Sequence, residues 1–208
     1  MKKCLAVLLC LLFVCSFAFA EGAEGPDAVT SATLKIDRLP AVTAEENGII
    51  VVYFSPDDTT RATAHAVAAG LNAALFEIAA EEPYTKEDLN YFDSRARSMT
   101  EMKDGDARPA IAALPENLDA FDTVLLGYPV WGGTAPKIML TFLESVDLSG
   151  KTVVPFCTSN SSPFGSSDAA MRELTDETVT WRKGTRIKKG STAEEIIEQA
   201  SGILNPGE

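Results

Sequence analysis

The sequence predicts a doubly wound α/β domain, a five-stranded parallel sheet covered by helices on both faces. Three observations carry this. Apolar or β-branched runs of strand length recur at 49–54, 74–78, 122–127, 151–156 and 178–181. Helical patterns alternate with them, the order that a parallel sheet with right-handed crossovers requires. The run Ile49-Ile50-Val51-Val52-Tyr53-Phe54 has no polar break, which fits a strand buried on both faces rather than on one.

Taken in order, the first run leads into the polar turn Ser55-Pro56-Asp57-Asp58-Thr59-Thr60. An Ala-rich helix to Leu71 comes next, with Ala64, Val67, Ala68 and Leu71 on one stripe and Gly70 as a stop signal. Ala74–Ile78 is a short second strand. Thr85 to Asp88 resembles a helix N-cap with acids in the first turn, and the helix is expected to run on through Arg97 and Lys103. Asp122–Gly127 is the third strand and Lys137–Val146 the next helix. Lys151–Phe156 is the fourth strand, Asp168–Leu174 a helix and Thr178–Trp181 the fifth strand. Glu194–Leu204 closes the domain, with Ile196, Ile197, Ala200, Ile203 and Leu204 on one face.

The chain before residue 48 has a different character. Lys2-Lys3, an apolar run from Cys4 to Phe19 and the small-x-small pattern Ala18-Phe19-Ala20 form a secretory signal over residues 1–20. Val14-Cys15 lacks the small residue that a lipoprotein site favours, and Lys2-Lys3 is not a twin-arginine signal. Residues 21–47 read as a flexible acidic lead-in, and 48–205 as the folded domain. The mature chain then has no membrane span and retains Cys157 alone, so no internal disulfide forms. Loss of Lys2 and Lys3 leaves 16 basic residues against 30 acids, a net charge of −14. Such a chain repels phosphate backbones, which argues against nucleic-acid binding. Its destination is the periplasm or the extracellular space.

In sheets of this class ligands bind beyond the carboxyl ends of the strands. Loops 55–60, 128–136 and 157–167 emerge there. The first is a strand–turn–helix start, where amides and the helix dipole favour an anion. The second carries Trp131 between Pro129 and Gly132-Gly133, and the third is rich in hydroxyls. An anion site, an aromatic plate and a ring of hydrogen-bonding groups suit a planar heterocycle bearing a phosphate. Flavin mononucleotide (FMN) fits, and no metal is required.

At these loops the chain resembles the flavodoxin family, nearest its exported branch, across residues 48–205. The matching stretches are Tyr53-Phe54-Ser55-Pro56, Gly127-Tyr128-Pro129-Val130-Trp131, Gly133-Thr134-Ala135-Pro136 and Pro155-Phe156-Cys157-Thr158-Ser159. The resemblance implies strand order 2-1-3-4-5 and bound FMN. Its phosphate would lie on Ser55, Asp57, Asp58, Thr59 and Thr60. Its ring would be gripped by Pro129, Val130, Trp131, Gly132 and Gly133, and by Thr158, Ser159, Asn160 and Gly165. Where the family's phosphate loop reads Ser-x-Thr-Gly-Asn-Thr, this chain places Asp57, Asp58 and Thr59 at the Thr, Gly and Asn positions. A carboxylate about 5 Å from a phosphate, at an effective dielectric near 20, costs roughly 3 kcal/mol. That is on the order of a hundredfold in affinity unless the side chain turns into solvent.

Other chemistry-bearing residues have plainer readings. Cys157 is either redox-active beside the ring or a small buried residue at a strand end, the latter favoured. His65, the sole histidine, lies on the first helix away from any base–nucleophile set, which disfavours a Ser-His-Asp hydrolase. Tyr84 and Tyr91 are read as packing residues. Arg182, Lys183, Arg186, Lys188 and Lys189 could dock an acidic partner or a nicotinamide cofactor's phosphates, with a solvated strand edge the plainer reading. The sequence leaves two functions open: an exported FMN-binding redox protein with a redox partner of its own, or a flavodoxin-fold interaction module that has lost its cofactor.

Overall fold

The computed structural model describes residues 47–188 and 190–204. The signal segment and all but the last residue of the lead-in lie outside the described residues. The elements are β1 (Ile49–Phe54), α1 (Thr59–Leu71), β2 (Ala74–Ile78), α2 (Arg97–Lys103), β3 (Thr123–Pro129), α3 (Lys137–Ser145), β4 (Thr152–Ser159), α4 (Ala169–Arg172), β5 (Thr180–Trp181), β6 (Thr185–Lys188) and α5 (Ala193–Leu204). All strand pairs are parallel, in the order β2-β1-β3-β4, with β5 and β6 both on the outer side of β4. Together those two short strands fill the fifth place, so the order 2-1-3-4-5 holds.

Period-2 alternation divides the core into two layers. Ile50, Val52 and Phe54 of β1 join Val124, Leu126 and Tyr128 of β3 beneath Ile138, Met139, Phe142 and Leu143 of α3. Val51, Tyr53 and Leu125 face the other way with Val154 and Phe156, under Ala64, Val67 and Ala68 of α1 and Ile196 and Ala200 of α5. Full burial of a Val, Ile or Phe is worth about 1.5–3 kcal/mol, so β1 is anchored from both faces at once.

The fifth strand is broken for a reason written in β4. Thr180 and Arg182 donate to the carbonyls of Lys151 and Val153, so odd-numbered residues of β4 turn toward this edge. Pro155 has the same parity and no N–H to offer. The gap between β5 and β6 falls opposite it, and pairing resumes at Phe156 with Thr185.

Several elements depart from the sequence reading. Gly70 lies inside α1, where Ile197 of α5 packs against the missing side chain; the helix stops at Asn72, in the left-handed region at φ 49°. Thr85 and Asp88 do bond reciprocally in capping fashion, at 2.9 and 3.2 Å, but they close a turn and the helix waits until Arg97. The α4 helix is one short turn, shorter than Asp168–Leu174.

Cys157 is fully buried in the layer beneath α3. Burial pushes its thiol up to about 12, which removes the thiolate a redox role needs. The plainer reading of this residue holds.

The core makes two outcomes testable. An added Cβ at Gly127 would overlap the Phe156 ring, itself sealed under α1 and α5. Gly127→Ala should therefore lower unfolding free energy by about 1–3 kcal/mol, read from the urea midpoint. The Cys157 thiol stays protonated in the fold toward pH 12 and ionises near 9.0 when unfolded. Its contribution is complete below pH 9 and is lost as pH rises, at about 1.4 kcal/mol per pH unit. Cys157→Ala should give a measurably flatter decline of stability across that window.

Candidate functional site

β1, β3 and β4 end on the same edge of the sheet, and a cleft of about 600 Å³ opens there. Its floor and walls come from the expected loops and from one segment the motifs do not cover. Of the candidate residues, Asp57, Thr59, Pro129, Val130, Trp131, Gly132, Thr158, Ser159 and Asn160 line it. Ser55, Asp58, Thr60, Gly133 and Gly165 do not.

The loop after β3 is a tight hairpin. Trp131 and Thr134 exchange both backbone hydrogen bonds at 3.0 Å, around Gly132 at φ 56° and Gly133 at φ 89°. Two successive left-handed residues make a type I′ turn, which suits a Gly-Gly pair. Trp131 is held by edge-to-face contacts with Phe54 at 5.7 Å and Tyr84 at 5.6 Å. Tyr84 is fixed in turn: its hydroxyl donates to Glu101 Oε2 at 2.6 Å, and the Arg97 guanidinium lies 4.1 Å above its ring. Arg97 also donates to Glu101 Oε1 at 2.7 Å. Burial, then Glu101, raises the Tyr84 phenol well above its usual range. The indole is thus a fixed wall of the cleft, and Tyr84 packs as expected.

In the loop after β4, the Ser162 amide donates to Ser159 Oγ at 2.9 Å. Arg186 of β6 reaches across to the carbonyls of Ser161 and Ser162, both at 3.2 Å. Within the basic cluster Arg182, Lys183 and Lys188 are exposed, as a solvated edge requires, while Arg186 braces this loop. The side chains of Asn160, Ser161 and Ser162 accept and donate no hydrogen bond among the described residues, and all three face the cleft.

The turn after β1 is built differently from a vacant anion cradle. Ser55 is buried, and its Oγ accepts the Arg61 amide at 2.9 Å, satisfying one of the free first-turn donors of α1 from outside the helix. Thr60 is buried and pairs Oγ1 to Oγ1 with Thr158 at 2.8 Å. Asp57 Oδ1 accepts the Thr59 amide at 3.3 Å. Asp58 stands at φ 62°, where glycine is favoured, and its carboxylate is 79% exposed and paired with Arg61. Arg61 is further bound by Glu77 through Nε at 3.1 Å and Nη2 at 2.5 Å. Tyr53 donates to Glu77 Oε2 at 3.0 Å, and the ring of His65 meets Tyr53 edge-on at 6.1 Å, a structural place for the histidine. Bonding to Glu77 raises Arg61 further, so it stays a locked cation.

The remaining wall comes from residues 89–102. Leu89, Tyr91, Ser98, Met99 and Met102 line the cleft, and Pro56 completes the rim. Tyr91 is 69% exposed and stacks on Phe92, with ring centroids 4.0 Å apart. That corrects its reading as a packing residue. The one signal in the sequence was Met99 and Met102 at i, i+3, downstream of the consecutive aromatics Tyr91-Phe92.

The two ends of the cleft fit a flavin nucleotide unequally. The ring end has an immobilised indole, apolar walls and unpartnered amide and hydroxyl groups, the composition of a site for a planar heterocycle. At the phosphate end Asp57 brings a carboxylate to the cleft, while Asp58 turns out to Arg61, and that cation is thereby already engaged.

The comparisons agree with this architecture. The flavodoxin family model matches residues 48–201. A candidate flavoprotein from Bacteroides eggerthii is 37% identical, covering 75% of this chain and 97% of its own, with a TM-score of 0.69. One from Bacteroides uniformis is 34% identical over 74% of this chain and 98% of its own, with a TM-score of 0.70. A flavoprotein from Lactobacillus acidophilus, solved in complex with FMN, shares the fold at 16% identity, covering 74% of this chain and 99% of its own, with a TM-score of 0.58. None of the curated proteins matches the chain. On the family match and on the two Bacteroides structures, the chain belongs to the flavodoxin family.

Proposed function

We propose that this chain is an FMN-dependent redox protein that exchanges electrons with a donor or acceptor outside the cytoplasm. The observation that carries the reading is the cleft itself. It lies where the carboxyl ends of β1, β3 and β4 converge and is walled by a rigid Trp131. Bound FMN supplies the two-electron and one-electron chemistry. The chain's own part is to hold the ring plane against Trp131 and to present amides and hydroxyls of the turn 131–134 and of Asn160, Ser161 and Ser162 to its polar edge. The wall at Leu89, Met99 and Met102 keeps water from the ring. Family membership and the FMN complex of the Lactobacillus protein support the same assignment.

A second reading has its own observation. Asp57 sits on the first amide of α1, where an anionic ligand would be expected. A flavodoxin fold without cofactor, working as an interaction module, is consistent with that.

Titrating the purified protein with FMN separates the two. Binding at micromolar FMN, weakened about tenfold by Trp131→Ala through loss of ring contact, supports the redox reading. No change in flavin fluorescence or absorbance at those concentrations favours the interaction module. Export is checked independently: the N-terminus of the protein recovered outside the cytoplasm should begin at Glu21, and an intact Met1 on cytoplasmic protein would overturn it.

A further inference from the structure

We infer that the cleft selects a flavin by its ring and not by its phosphate, so that it takes riboflavin at least as tightly as FMN. This rests on the flavin reading above and widens its ligand from FMN to the unphosphorylated flavin.

The α1 end of the cleft is already satisfied from within the chain. Its first amide, on Thr59, donates to Asp57 Oδ1 at 3.3 Å, and its third, on Arg61, donates to Ser55 Oγ at 2.9 Å. The hydroxyl of Thr60 is buried against Thr158 at 2.8 Å. Arg61, the cation in the first turn of α1, is shared between Asp58 and both oxygens of Glu77. Among the described residues of this turn, the amides of Asp57, Asp58 and Thr60 and the Thr59 hydroxyl are without a partner, all neutral donors. Asp57 lines the cleft beside them, so a phosphate dianion placed on those donors meets a carboxylate at close range. A neutral ribityl hydroxyl does not. At the ring end nothing comparable intervenes: Trp131 is fixed, and the Asn160 side chain remains unpartnered.

The test compares two ligands on one preparation. Riboflavin and FMN are titrated into the purified protein by fluorescence quenching, at low and at high salt. The expected result is a riboflavin Kd equal to or below that of FMN. Added salt should tighten FMN by screening the carboxylate–phosphate repulsion and leave riboflavin unchanged. Asp57→Asn keeps the side-chain acceptor for Thr59 and removes the charge, so it should tighten FMN about tenfold with little effect on riboflavin. FMN binding tenfold tighter than riboflavin in the unaltered chain overturns the inference and leaves the flavin reading standing. Binding of neither flavin overturns both. The salt comparison on the unaltered protein stands whether or not the variant folds.

Discussion

Parallel pairing is the constraint that shapes every other part of the molecule. With β1, β3 and β4 hydrogen-bonded side by side in one direction, their three carboxyl-terminal loops must open on the same edge. That brings Asp57, Trp131 and Ser159, far apart in the chain, onto one cleft. It also requires both faces of the sheet to be covered, and the two core layers under α3 and under α1 and α5 supply that cover. The close approach of Phe156 to Gly127 lets β3 and β4 pack at full register without thinning either layer.

The strands were legible because their signal is local. Runs such as Ile49–Phe54 and Ala74–Ile78 match their strands residue for residue; for the first, burial on both faces leaves no other pattern to write. The fifth strand was half legible. Its second piece reads as a short basic stretch flanked by Gly184 and Gly190, and only the parity of Pro155 in β4 explains the gap. The segment 79–117 was the least legible, because it is held by particular contacts and not by periodicity. The Thr85–Asp88 pair closes a turn that mimics a helix start, and the Tyr84–Arg97–Glu101 cluster ties α2 to the cleft wall. The i, i+3 spacing of Met99 and Met102 marks an apolar stripe, but it does not say that this stripe and Tyr91 face the same cleft as Trp131.

The site shows a similar division. Trp131 and its Gly-Gly turn were readable from types alone, because a I′ turn needs that pair. The turn after β1 was readable as a helix entry, but the direction of each carboxylate was not. Asp58 turns outward to Arg61, which relieves part of the expected repulsion, while Asp57 turns back onto Thr59 and keeps the rest. Two neighbouring residues of the same type thus have opposite consequences for an anion. The distinction comes from the left-handed backbone at Asp58.

The broken fifth strand has a consequence for how the chain behaves in company. A sheet edge with unpaired amides invites another chain to add a strand, and a long flat edge is an aggregation hazard. Here the edge is cut into pieces of two and four residues by the missing Pro155 donor, and it carries exposed Arg182, Lys183 and Lys188. Neither piece is long enough to template a partner, and bringing two such edges together would oppose like charges. A single imino acid in the neighbouring strand therefore gives the molecule an inert flank, at the cost of the ladder bonds that a continuous strand would have made there.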